Sequence, residues 1–225
     1  MSAMNLDWLG VDLHLREPAG DADGALILNH GRGADENDLF GLLDELDPGR
    51  RLLGVTTGAP WFGIPPGGRH WYVVERVGFP HPETFGRSYA ELGRILDDLL
   101  ERRGIDWSRA VVGGFSQGTV MSYALALGAD RPAPAAVLAN SGFIPEVEGW
   151  SAELGGRDTR VHIHHGAADP VIVPEFARQA REVLRAGGIE PIYRETEAGH
   201  WLPPEAVAGM RELVAEAVPV AGATP

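Results

Sequence analysis

The sequence predicts an α/β protein: a mostly parallel central sheet with helices on both faces, built as a single domain. Three observations carry this. Short β-rich runs alternate with helical patterns along the chain. Several of those runs are continuously apolar, as strands buried on both faces must be. His, Gly, Ser and Asp residues gather just after the runs, where open parallel sheets bind their ligands.

Val11–Arg16 alternates Val, Leu and Leu with Asp, His and Arg, which suits an edge or half-buried strand. Ala25–Asn29 is apolar throughout and stops at His30-Gly31, as a fully buried strand does. Arg51–Thr56, Ala110–Phe115, Ala135–Asn140 and Val161–His165 read alike, and Pro191–Glu195 is a last, more polar strand. Trp71–Val74 reads as a short strand or a piece of loop wall. Phe85, Tyr89, Leu92, Leu96 and Leu99 fall on one stripe of a helix that Gly104 ends. Glu36–Leu46, Gln117–Leu127, Pro174–Ala186 and Pro204–Val218 are further helices; Gly128 and Gly187-Gly188 supply two stops. No repeat, linker or composition break interrupts this order, so one domain is expected over 1–218, with 219–225 a fraying tail.

A chain of 225 residues buries roughly 70% or more of its unfolded surface, enough for a real core. Hydrophobic residues at 44% and charged ones at 23% exclude a largely disordered chain. The net charge of −13, with no local basic run, argues against nucleic acid and anionic lipid as partners. The chain has no cysteine, which excludes disulfides, cysteine-ligated zinc, iron–sulfur clusters and a cysteine nucleophile. It starts without a signal-like segment and holds no apolar stretch long enough to span a bilayer, so a soluble cytoplasmic protein is expected.

Gly114-Phe115-Ser116-Gln117-Gly118 carries the strongest chemical signal. It fits G-x-S-x-G between a strand and a helix, the context of a nucleophile elbow. Small residues two before and two after the serine let the turn close and leave Oγ standing clear. The plain alternative is a glycine-rich turn with a capping serine, and the flanking strand and helix favour the elbow. Serine is a weak nucleophile at neutral pH and needs a base. The elbow's usual partners follow in the order Ser, Asp/Glu, His. Asp169 follows the Val161–His165 strand, and His200 follows the last strand. Asp130, Asp158 and Glu197 compete less well for the acid, because each sits in a turn, at the wrong strand end or too near His200 in sequence. His162, His164 and His165 compete for the base; His162 and His164 share a strand face, but nothing completes a metal-ligand set. His30 is expected to order the loop after it. Backbone donors for an oxyanion are expected at Gln117 and, from His30-Gly31-Arg32-Gly33, at Arg32.

HGRGADENDL, GFSQG, NSGFIP, HGAADPVIVP and AGHWLP, in this order from Ala25 to about Pro203, resemble the acyl-protein thioesterase/carboxylesterase (phospholipase/carboxylesterase) family of small α/β-hydrolases. The resemblance implies an α/β-hydrolase fold without a large cap, no cofactor, no metal, and hydrolysis of carboxylic esters or acyl thioesters. It implies Ser116 as nucleophile, Asp169 as orienting acid, His200 as base, and Arg32 and Gln117 at the oxyanion positions. Thioesterase members that act on long chains commonly carry an apolar residue where this chain has Arg32. That departure shifts the expectation to a small-molecule ester with a short to medium acyl chain, with a long-chain thioesterase or lysophospholipase as the alternative. A non-catalytic ligand-binding α/β-hydrolase is the rival from another class. Trp71, Phe143 and Trp201 are candidate pocket walls, and a homodimer is compatible with the sequence.

Overall fold

A strand with no polar face has to be covered twice, and that requirement shapes the computed structural model, which describes residues 7–220. Residues 221–225 of the expected tail lie outside the described residues. The chain runs β1 (Asp7–Trp8), β2 (Asp12–Arg16), β3 (Gly24–Asn29), α1 (Leu42–Leu46), β4 (Leu52–Gly58) and β5 (Trp61–Phe62). It continues β6 (Val74–Arg76), β7 (Phe79–Pro80), α2 (Pro82–Arg103), β8 (Ala110–Phe115), α3 (Gln117–Leu127) and β9 (Ala136–Asn140). It ends β10 (Arg160–Gly166), α4 (Glu175–Ala186), β11 (Ile192–Thr196) and α5 (Pro204–Ala217).

Seven strands form the central sheet in the order β11-β10-β9-β8-β3-β4-β2. All neighbours are parallel except β2, which runs antiparallel to β4 at one edge. Alternate residues feed two cores. Ile27, Val112, Val137 and Ile163 pack with residues of α2, α3 and α4, such as Leu92, Val120 and Leu184. Leu26, Leu28, Val111 and Leu138 pack with Leu43 and Leu46 of α1 and with Met210 and Leu213 of α5. Every residue of α3 is buried, so the helix behind the elbow is the best-protected one. Gly104 ends α2 at φ 64°, and its N–H reaches the carbonyls of Leu100 and Glu101. Among the described residues no helix is long and apolar enough to cross a membrane.

One sequence expectation is corrected. The helix expected over Glu36–Leu46 is helical only at Leu42–Leu46. Before it, Asp35 Oδ1 accepts the Asn37 N–H at 2.8 Å, and backbone bonds run three residues back from Asp38, Phe40 and Leu42. Asp and Asn side chains compete for the backbone and turn a helical pattern into successive turns. Of the two readings of Trp71–Val74, the loop holds for Trp71, Tyr72 and Val73, which are buried, and the strand begins only at Val74.

Buried polar groups tie the sheet to its loops. The Arg16 guanidinium donates to the Leu43 carbonyl at 2.8 Å, to Asp47 Oδ2 at 2.6 Å and to the Leu52 carbonyl at 3.0 Å. Asp47 also accepts the Leu52 N–H at 2.9 Å. Removing one partner of a buried pair strands the other. Arg16→Ala should therefore cost about 3–5 kcal/mol, read as a lower urea midpoint with an unchanged slope. His30, His162 and His164 are each pushed down to about 4, chiefly by burial. Below pH ~6.5 the unfolded chain takes up protons that these folded histidines refuse. Stability should fall as pH drops from 6.5 toward 4, and a urea midpoint that stays level across that range would contradict this.

Candidate active site

At the carboxyl end of β8 the chain turns from strand to helix through one residue, Ser116, at φ 55° and ψ −119°. A non-glycine residue held there is strained, and strain of this kind collects at functional sites. Close approach makes the turn possible. A Cβ at Gly118 would lie 1.9 Å from the Asn29 carbonyl oxygen, and one at Gly114 would lie 2.5 Å from the Gly118 carbonyl carbon. Only hydrogen fits at either place. The Asn29 side chain locks the floor below, donating to Ser122 Oγ at 2.9 Å and accepting from Thr57 Oγ1 at 2.6 Å.

The loops after β10 and β11 bring two side chains to this serine. His200 Nε2 lies 3.1 Å from Ser116 Oγ, and His200 Nδ1 lies 2.7 Å from Asp169 Oδ2. The second oxygen of Asp169, Oδ1, accepts the N–H groups of Val171 at 2.8 Å and Ile172 at 2.9 Å. Burial alone would push the Asp169 carboxyl up. The hydrogen bonds from His200, Ile172 and Val171 outweigh it and hold the group below the usual carboxylate range. Asp169 is therefore ionised at neutral pH. It keeps the proton on His200 Nδ1 and leaves the Nε2 lone pair toward the serine. The His200 ring rests against Phe115, with centroids 4.7 Å apart.

The competing histidines lie elsewhere. His165 Nε2 donates to the Ile172 carbonyl at 2.7 Å and so braces the Asp169 loop from beneath. His164 pairs with Thr196, and His162 packs against Gly209 of α5. Among the described residues no group of three His, Cys, Asp or Glu side chains is arranged to hold a metal. Asp158 precedes β10, at the opposite end of the strand from Asp169.

The loop after β3 supplies the other wall. His30 Nε2 accepts the Ala59 N–H at 3.0 Å while Nδ1 lies 2.6 Å from the Gly31 carbonyl, which orders the turn into Arg32. The N–H of Gln117 opens α3 and has no intrahelical acceptor. The Gln117 side chain ties in the facing loop: Oε1 accepts the Trp71 N–H at 3.0 Å and Nε2 donates to the Tyr72 carbonyl at 2.9 Å.

Ser116 opens into a small pocket of about 50 Å³. Arg32, Gln117, Tyr72, Phe143, the β6–β7 ribbon, Val171 and Ile172 line it. A larger cavity of about 390 Å³ adjoins it, lined by Ile144, Trp150 and Phe176 among others. Phe143, Gly78 and Phe79 belong to both. Of the three candidate pocket walls, Phe143 alone lines these spaces. Trp71 is fully buried behind the wall, its indole donating to the His30 carbonyl at 2.9 Å. Trp201 is 54% exposed and lines neither cavity. The sequence reading missed Arg76, Val77 and Phe79, because no spacing marks a ribbon tip as a pocket wall. Val171 and Ile172 sit within the HGAADPVIVP segment and were legible only as neighbours of Asp169.

Acyl-protein thioesterase 1 of Debaryomyces hansenii is 24% identical over 202 residues, covering 80% of this chain and 84% of that protein. Acyl-protein thioesterase 1 of Candida albicans is 27% identical over 209 residues, covering 82% and 88%. The Bacillus cereus carboxylesterase superposes with a TM-score of 0.79 at 19% identity, over 92% of this chain and 94% of that one. The carboxylesterase from Mesorhizobium loti gives 0.78 at 20%, over 94% and 99%. These two structures establish the α/β-hydrolase fold. The family described as phospholipase/carboxylesterase matches residues 12–216, nearly the whole chain. By that match the chain belongs to the phospholipase/carboxylesterase family of hydrolases.

Proposed function

We propose that the protein is a cofactor-independent serine carboxylesterase working through an acyl-enzyme on Ser116. The observation that carries this reading is the continuous relay from Asp169 to His200 to Ser116, at 2.7 and 3.1 Å. Ser116 Oγ attacks the ester carbonyl while His200 Nε2 takes its proton. Asp169 keeps the imidazole in the required tautomer and balances the imidazolium that forms. The N–H groups of Arg32 and Gln117 receive the developing oxyanion. His200 then protonates the leaving alcohol. Water, deprotonated by the same nitrogen, attacks the acyl-enzyme and releases the acid.

The narrow space at Ser116 supports short to medium acyl chains. One observation favours the second reading, a thioesterase or lysophospholipase on longer chains: the larger cavity shares Phe143, Gly78 and Phe79 with the inner pocket, so a chain has somewhere to continue. The reading extends to one catalytic domain over 1–218, in the cytoplasm, acting on a small-molecule ester. A homodimer would run at twice the 24.1 kDa chain mass in light scattering.

The test is a series of p-nitrophenyl esters from acetate to palmitate on wild type and Ser116→Ala. Turnover should peak at short chains and drop about 10⁶-fold in the variant. A maximum at palmitate would move the assignment to the second reading, and wild-type rates in Ser116→Ala would remove the nucleophile. Asp169→Asn should keep the fold but lose about 10⁴-fold in kcat, because the imidazole then holds its proton on the wrong nitrogen. Full activity in Asp169→Asn, with loss on replacing Asp158, would overturn the choice of acid.

A further inference from the structure

The wall of the inner pocket carries two arginines and no carboxylate, in a molecule whose net charge is −13. All nineteen basic residues of the chain are arginine. Many are neutralised where they stand: Arg178 is held by Glu195, Arg131 by Asp97 and Arg185 by Glu190. Arg32 has neither an ion pair nor a hydrogen bond among the described residues. The guanidinium of Arg76 lies over the Phe79 ring at 3.7 Å and has no carboxylate partner among the described residues. Tyr72, 2% exposed, lines the same pocket. Burial pushes its phenol well above the usual range, against the pull of the Arg32 charge, so it stays a neutral O–H donor. That hydroxyl has no hydrogen-bond partner among the described residues.

Two exposed cations without carboxylate partners and an unused phenol donor line one small space beside the nucleophile. Arg32 and Arg76 are exposed at the rim of that space, where water solvates them, and a neutral acyl chain would give neither a partner of opposite charge. A carboxylate would satisfy them with charge-assisted hydrogen bonds. The inner pocket, about 50 Å³, is far smaller than the adjoining cavity of about 390 Å³. It suits a compact polar group and no long chain. The adjoining cavity has the opposite character: its wall holds Glu146, no arginine, and the apolar faces of Phe143, Ile144, Trp150 and Phe176. We propose that the substrate is an ester carrying a free carboxylate a few atoms from the scissile carbonyl, a half-ester of a small dicarboxylic acid. Arg32, Arg76 and the Tyr72 hydroxyl hold that carboxylate, and the apolar remainder of the ester lies along the larger cavity. The inference rests on the serine-esterase reading and narrows it to a substrate class.

The test compares kcat/KM for monoethyl succinate and ethyl butyrate, two esters of matched acyl length that differ in charge. Wild type should prefer the anionic ester by about tenfold to a hundredfold, the range of hydrogen bonds to charged groups. The preference should shrink in 0.5 M KCl, and fall toward unity in Arg32→Gln and in Arg76→Gln. Serine-dependent turnover of ethyl butyrate with no preference for monoethyl succinate overturns the anion site and leaves the esterase standing. A preference that both variants retain also overturns it. Absence of serine-dependent turnover with either ester overturns the esterase reading instead. The anion site is then decided by calorimetry on Ser116→Ala, which should bind monoethyl succinate about tenfold or more tighter than ethyl butyrate, and lose that difference when Arg32→Gln is added. Equal binding of the two esters overturns the proposal.

Discussion

The close backbone approach behind Ser116 sets the terms for the rest of the molecule. The first turn of α3 presses on the end of β3 so tightly that Gly118 has no room for a side chain against the Asn29 carbonyl. That contact holds Ser116 in its strained backbone and aims Oγ away from the sheet. It also sets the demand on the surroundings. A strained turn persists only where its neighbours over-determine it. Here α3 is buried along its whole length, and Asn29 stitches β3 to β4 and to α3 through Thr57 and Ser122.

Once the serine is fixed, parallel strands deliver its partners. The order β11-β10-β9-β8-β3 puts the carboxyl ends of five neighbouring strands on one rim. Asp169, His200 and the His30–Gly33 turn come from three of them. Each loop is pinned by its own small network. His165 and two backbone N–H groups hold the Asp169 loop, and His30 with Ala59 holds the first turn. The buried His30 and His165 thus serve as struts in their neutral form, while His200 reaches Ser116.

What could be read from the sequence divides along physical lines. The strands were legible because two-sided burial leaves no polar positions, as in Ala25–Asn29 and Ala110–Phe115. The meeting of Ser116, Asp169 and His200 was legible because an elbow needs glycines at fixed places and its partners must follow strands. The Glu36–Leu46 helix was misjudged because local Asp and Asn bonding beat the apolar period. Trp71 and Trp201 were misplaced because aromatic character near a motif does not say which way a ring faces: one is sealed behind the wall and the other stands in solvent. The pocket wall of Arg76, Val77 and Phe79 was illegible, since a two-stranded ribbon outside the sheet leaves no periodic trace.

That ribbon has a consequence for how such a molecule diversifies. β6 and β7 pair only with each other, and none of their residues belongs to the seven-stranded sheet. The ribbon nevertheless supplies Val74, Arg76, Val77, Gly78 and Phe79 to the wall in front of the serine, and Gly78 lies flat against the Phe176 ring of α4. Selection can rewrite its length, charge and bulk while the elbow, the relay and both cores stay as they are. A fold that fixes its elbow in the packed core and hangs a pocket wall on a separate ribbon can alter the second without disturbing the first.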